Sequence, residues 1–272
     1  MTINWSKTKF MFITKKHVEF PKFITIDHSE VEVVHSFKLL GCVIDDKLTF
    51  NENISHIKSL THKKLNSLCT LSFLSSEVKI HFFKTFILPH FDYCISLAIY
   101  YSESQIARLE RLYNYCLFKL CNIKLNSEYK KDDNKGKYGF SPLDLKSQLL
   151  ILSKHNLLPF SMRIFNQISL FSYKILNKQI LTNIFDSLKF VSSEINNSHR
   201  SMHRSICSLP SWTTFSGKKR LSYFLPNFVN EVLKHTYNLK LSEFKTFLSN
   251  NLQTLYVKFC KIFKSDNYVN FT

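Results

Sequence analysis

Apolar and polar residues alternate in short runs over the first fifty positions, and then the period changes. Lys9-Phe10-Met11-Phe12-Ile13-Thr14 reads as a strand, and residues 23–26 and 31–34 read as two more around a turn at Asp27-His28-Ser29. Residues 37–44 form a fourth, strongly apolar strand, followed by a turn at Asp45-Asp46-Lys47 and a return to Leu48 and Phe50. Gly41 stands inside that strand among bulky neighbours, where a glycine marks a bulge or a backbone that must come close to something. The expected product is a small antiparallel sheet of three or four strands. A sheet of that size is marginal alone and needs something to pack on.

From Asn51 the apolar residues recur with a period near 3.6. Ile54, Ile57, Thr61, Leu65, Leu68 and Ser72 share one face of a helix, while His56, Lys58, His62, Lys63 and Lys64 fall largely on others. Ser75 or Ser76 caps a second helix carrying Ile80, Phe83 and Ile87, which Pro89 is expected to end. Ser102 and Gln105 have capping-box spacing before Ile106, Leu109, Tyr113, Cys116 and Leu120, the clearest amphipathic stripe in the chain. Lys124 through Gly139 is polar and charged and reads as a linker. Ser141-Pro142 predicts a helix start, with a helical pattern towards Leu158 and again from Ser161 to Asn177. Residues 191–220 read as an extended loop, and a last helix is expected from Ser242. The predicted fold class is α+β, mostly α. A small N-terminal antiparallel β segment (1–50) is followed by a helical bundle (51–123), a linker (124–140) and a helical C-terminal region (141–272).

Composition adds a core and a partner class. Hydrophobic residues make up 44% and aromatics 15%, with 26 Phe, so a sizeable core is expected and disorder is not. The net charge of +17 favours a polyanionic partner, nucleic acid first. The blander source of such a charge is a coding-sequence bias, since Lys far outnumbers Arg and Phe, Ile, Asn and Tyr are all abundant. The seven cysteines include no Cys-x-x-Cys pair and have apolar or helical neighbours, as expected of buried free thiols in a reducing compartment, nucleus or cytoplasm. The N-terminus has neither signal- nor transit-peptide character, and no run of about 18 apolar residues predicts a transmembrane helix.

The order of several short motifs carries a resemblance. Asn4-x-x-Lys7-Thr8-Lys9 is followed by Phe37-x-Leu39-Leu40-Gly41-x-x-Ile44-Asp45-x-x-Leu48-x-Phe50, then His56-Ile57, Lys64-Leu65 and Phe86-Ile87-Leu88-Pro89-His90-Phe91-Asp92-Tyr93-Cys94. Further on come Leu109-Glu110-Arg111-Leu112-Tyr113-Asn114, Leu157-Leu158-Pro159-x-x-x-Arg163, Tyr173-Lys174-Ile175-Leu176-Asn177 and Phe244-Lys245-x-Phe247-Leu248. In combination this resembles the part of a non-LTR (jockey-like) retrotransposon reverse transcriptase that follows the catalytic palm, over nearly the whole chain. The resemblance implies that the strand around Lys38, Leu40 and Gly41 is similar to the primer grip. It implies that Lys7 sits where the palm ends, beside the incoming triphosphate, and that the helices 51–121 form a thumb lying along primer–template. Lys58, Lys63 and Lys64 would then be phosphate contacts, although basic residues on a helix ordinarily mark a solvated face.

The resemblance also implies what is missing. The polymerase of that family holds two metal ions on palm carboxylates that precede the Asn-x-x-Lys-Thr box, and here only three residues precede it. Asp45-Asp46 echoes the family's paired aspartates, but Val43 stands where an aromatic residue belongs, so the pair reads as turn chemistry. Asp132-Asp133 lies in the charged linker. His199, His203 and Cys207 have zinc-ligand spacing, yet four ligands are needed and no second Cys pair is near, so they read as a polar loop. The chain is therefore expected to bind RNA or RNA–DNA duplex without copying it. It carries no cofactor of its own on this reading, with Mg²⁺ only where a palm-containing polymerase segment is supplied, and it has no membrane partner. The alternative is a transposon-derived interaction protein, or a pseudogene product, that binds no nucleic acid.

Two expectations are testable at this level. Primer extension with the purified chain, Mg²⁺ and deoxynucleotides should equal a buffer control. Template-dependent extension that vanishes in an Asp45→Ala, Asp46→Ala double variant would overturn that reading. Limited trypsin digestion should cut first at Lys130, Lys131, Lys135 or Lys137, and first cuts at Lys79 or Lys84 would contradict the linker assignment.

Overall fold

A computed structural model describes residues 3–14, 16, 18–26, 28–70, 73–125, 144–180, 207, 221–234, 236 and 239–264. The class is α+β and mostly α, with the strands gathered at the N-terminus. Among the described residues, five short strands form two sheets: β1 (Lys9–Phe10), β2 (Phe23–Ile26), β3 (Ser29–Val33), β4 (Ser36–Leu39) and β5 (Cys42–Asp45). β2 and β3 make an antiparallel hairpin through His28, whose φ of 63° places it in the left-handed region. β1 joins β3 in parallel, so the expectation of a purely antiparallel sheet is corrected. A parallel neighbour needs a long connection, and residues 11–28, β2 among them, separate β1 from β3 in the chain.

The strand expected over 37–44 is two strands. β4 and β5 pair antiparallel, Leu39 opposite Cys42, around the two-residue turn Leu40-Gly41. Both turn residues have positive φ, 47° and 92°, the combination that matches the twist of a tight hairpin. Gly41 thus serves the turn rather than a bulge.

α1 (Asn51–Cys69) buries Ile54, Thr61 and Leu65 on its expected face. Ser75 caps α2 (Ser76–Phe82), its hydroxyl accepting from the Val78 N–H at 3.5 Å. Pro89 does not end this helix as expected. The chain passes through a π-helical turn (Phe83–Ile87) into α3 (Leu88–Asp92), with Pro89 in the first turn of α3. A proline lacks its N–H and crowds the carbonyl four residues back, and the wider π turn absorbs both demands. After a 3₁₀ turn (Ile95–Ile99), α4 (Glu103–Cys121) buries the whole stripe Ile106, Leu109, Tyr113, Cys116 and Leu120. Gln105 at its start donates to the Thr49 carbonyl (2.7 Å) and to Asn51 Oδ1 (2.8 Å), tying α4 to the entry of α1.

The helix start expected at Ser141-Pro142 lies outside the described residues, and the first described helix beyond it is α5 (Leu145–Ser153). Its cap is Asp144, whose carboxylate accepts from the Ser147 N–H and hydroxyl. α6 (Phe160–Leu176) and α8 (Leu241–Lys264) match their expected spans. α7 (Leu221–Phe228), continued by a second π turn (Val229–Leu233), is unanticipated; Pro226 inside it breaks the sequence signal for a helix. The linker 124–140 lies, beyond Leu125, outside the described residues.

The chain divides into two compact units, Met1–Cys94 with Ser104–Ile123, and Ile95–Glu103 with Lys124–Thr272. In the first unit Tyr113, fully buried, receives Phe83 and Phe91 edge-on at 5.6 and 5.5 Å between ring centroids. In the second, Phe165 is surrounded by Phe228, Tyr256 and Phe259. Tyr173 stacks on Phe244 at 4.2 Å and donates its hydroxyl to the Leu239 carbonyl. Each such ring removes a large apolar area from water and adds edge or stacking contacts, which is why these positions dominate the cores.

Candidate nucleic-acid interface

Within the first unit, three elements converge on one cavity of about 160 Å³. The β4–β5 hairpin brings Lys38, Gly41 and Cys42; α1 brings Asn53, His56, Ile57 and Leu60; His90 of α3 and the following Tyr93 and Cys94 close it. The hairpin is held to α1 by Asn53, whose Oδ1 accepts the Val43 N–H at 3.0 Å. It is held to the end of α3 by Tyr93, whose hydroxyl donates to the Leu40 carbonyl. Gly41 is required here twice over: its φ is left-handed, and a Cβ would fall 3.2 Å from the Tyr93 ring.

Positive charge gathers around the two histidines. Burial lowers the pKa of His56, and Lys38 and Lys63 lower it further. Burial likewise lowers that of His90, helped by Lys64 and by His56. Lys38, from the hairpin, and Lys63 and Lys64, two turns along α1 from His56, therefore act on one neighbourhood. No Asp or Glu lines the cavity. Burial and the neighbouring lysines together favour the neutral form of both histidines.

Four of the seven residues expected from sequence share this neighbourhood: Lys38, Gly41, Lys63 and Lys64. Leu40 is at the hairpin tip, 85% exposed. Lys58 is exposed on α1, but two residues beyond His56 places it about 200° round the helix. Lys7 ends a 3₁₀ turn (Trp5–Lys7), is exposed, and does not line the cavity. His90, Tyr93 and Cys94 were visible only as letters of a motif, because nothing local in sequence joins residues 38–42 to 90–94.

Asp45 and Asp46 have turn roles. The buried Asp45 carboxylate accepts the N–H groups of Lys47 (3.2 Å), Thr49 (2.8 Å) and Phe50 (2.6 Å), and Asp46 pairs with His35 Nδ1 at 2.8 Å. Among the described residues, no three His, Cys, Asp or Glu side chains are grouped to hold a metal ion. His199 and His203 lie outside the described residues. Cys207 is buried, its backbone N–H and C=O both bonded to the Asn230 side chain at 2.8 Å. No described helix is long and apolar enough to cross a membrane. Comparison of the chain with family models, with curated proteins and with solved structures finds no match, so the reading of this surface rests on its own residues.

Proposed function

We propose that the chain is a reverse-transcriptase-derived segment of the non-LTR retrotransposon kind, from beyond the palm, and that its first unit holds RNA or RNA–DNA duplex without copying it. The observation that carries the reading is the convergence of Lys38 with Lys63 and Lys64 about His56 and His90, of which the motif order had named His56, Lys64 and His90. Phosphate contacts of this kind position a duplex without reading its sequence. The direct test is fluorescence anisotropy with an RNA–DNA duplex across a salt series. Binding that weakens steeply with salt and ignores sequence supports the proposal. Absence of binding at low salt leaves the interaction-protein alternative.

The histidines add a pH dependence of fixed sign. In the free protein both are protonated only below their ordinary value of 6.5. A phosphate placed among them favours the protonated form and raises both pKa values, so the complex binds more protons than the free protein. Affinity is expected to rise as pH falls from 7.5 towards 5.5 at constant ionic strength. The rise should disappear in a His56→Gln, His90→Gln double variant. An equal rise in that variant would place the phosphates elsewhere.

A further inference from the structure

The β4–β5 hairpin meets the end of α3 at three successive points. Leu40 accepts from the Tyr93 hydroxyl, Gly41 lies against the Tyr93 ring, and Cys42 stands beside Cys94 in the same cavity. Both thiols are free, and they are unlike: Cys42 is buried, and Cys94 is half-buried on the cavity wall. We propose that Cys42 and Cys94 form a peroxide-reactive dithiol that closes to a disulfide and locks the hairpin tip onto α3.

The chemistry follows from the inequality of the two thiols. The more accessible Cys94, as thiolate, attacks one oxygen of a hydroperoxide; the O–O bond breaks, Cys94 becomes a sulfenic acid, and water or an alcohol leaves after protonation. Cys42 then gives up its proton and attacks the Cys94 sulfur; the S–O bond breaks, the S–S bond forms, and a second water leaves. Two thiols are oxidised and one peroxide bond is reduced. Cys42 suits the second step. Burial pushes its thiol up to about 11, with the neighbouring Cys94 adding to the rise, so it stays protonated while Cys94 reacts. Converting Cys94 to an uncharged sulfenic acid removes only the part of the rise that Cys94 contributes; the part due to burial remains, and the Cys42 proton leaves with the displaced hydroxide as water. A cavity of about 160 Å³ admits a molecule the size of a small peroxide. Cys116 and Cys121, buried and pushed up to about 12, have little thiolate to offer.

The test uses the full chain. Reduced protein is exposed to hydrogen peroxide, quenched, alkylated, digested and mapped by mass spectrometry. The expected result is a Cys42–Cys94 linked peptide, with loss of both alkylatable thiols and their return on treatment with dithiothreitol. In Cys42→Ser, Cys94 should stop at the sulfenic acid and be captured by a dimedone probe; in Cys94→Ser, Cys42 should remain alkylatable. Full alkylation of Cys42 and Cys94 after an exposure that oxidises Cys69 would overturn the proposal. So would conversion of Cys94 to the sulfinic acid with no linked peptide. The wild-type map needs no variant to fold, so either result is decisive.

Discussion

Replacing Lys38, Lys63 and Lys64 together by alanine should flatten the salt dependence of duplex binding by about two to three units in the slope of log K against log salt. Each phosphate neutralised by a lysine releases counterions worth about 0.9 of slope, and three contacts are removed. With about four or five phosphates touched in all, the intact protein should show a slope of roughly −3 to −5, so most of the electrostatic binding would go with these three residues. Lys38 and Lys63 act on His56, and Lys64 acts with His56 on His90, which is why a concentrated effect is expected of the three. Net charge makes a different forecast. If a diffuse +17 were responsible, removing Lys130, Lys131 and Lys135 would weaken binding as much. Measuring the slope for both triple variants decides between them. Equal slopes would leave a merely basic surface and remove the content of the proposed interface. Sequence independence should survive in both variants, because no lost contact reads a base.

What could be read from sequence, and what could not, divides along local against long-range causes. α1, α4, α6 and α8 were legible because each carries a sustained apolar stripe, and in α4 every residue of the stripe is buried. A helix that long reports its own core face. The Leu40-Gly41 turn was not legible, because a leucine with φ of 47° has no favourable local reading. Tyr93, fifty-three residues later, is what holds it. Pro89 and Pro226 misled for a related reason: each lies beside a π turn, and packing supports a backbone that propensity alone rejects. The candidate site shows both sides. Its lysines were named individually, but the cavity they surround is assembled from β4, β5, α1 and α3, whose meeting no spacing rule foretells. The same gap hid Cys42 and Cys94 as a pair, since each on its own reads as an ordinary buried thiol.

Asp45→Ala should destabilise the first unit by about 3 kcal/mol, while Asp46→Ala should cost only about 0.5 kcal/mol. The two residues are adjacent and chemically identical, so the contrast isolates environment. Asp45 is buried, and its carboxylate serves three backbone N–H groups across the turn that leads from β5 into α1. Charge-assisted bonds of this kind are worth about 1.5–3 kcal/mol each. The figure stays near 3 because Lys47 and Thr49 are exposed and water can replace the carboxylate there, whereas Phe50 is buried and keeps the full penalty. Phe50 has φ of 58° as it enters α1, so the lost bond also releases the conformation that starts the helix. Asp46 by contrast pairs with a histidine side chain that is 83% exposed, and surface pairs contribute little. Urea denaturation of the two single variants gives the energies. Hydrogen exchange at the Thr49 and Phe50 amides gives the location, and should accelerate in Asp45→Ala alone. Equal losses in the two variants, or unchanged exchange at Phe50 in Asp45→Ala, would show that the carboxylate does not organise this turn, and the pair would have to be reconsidered as a functional one.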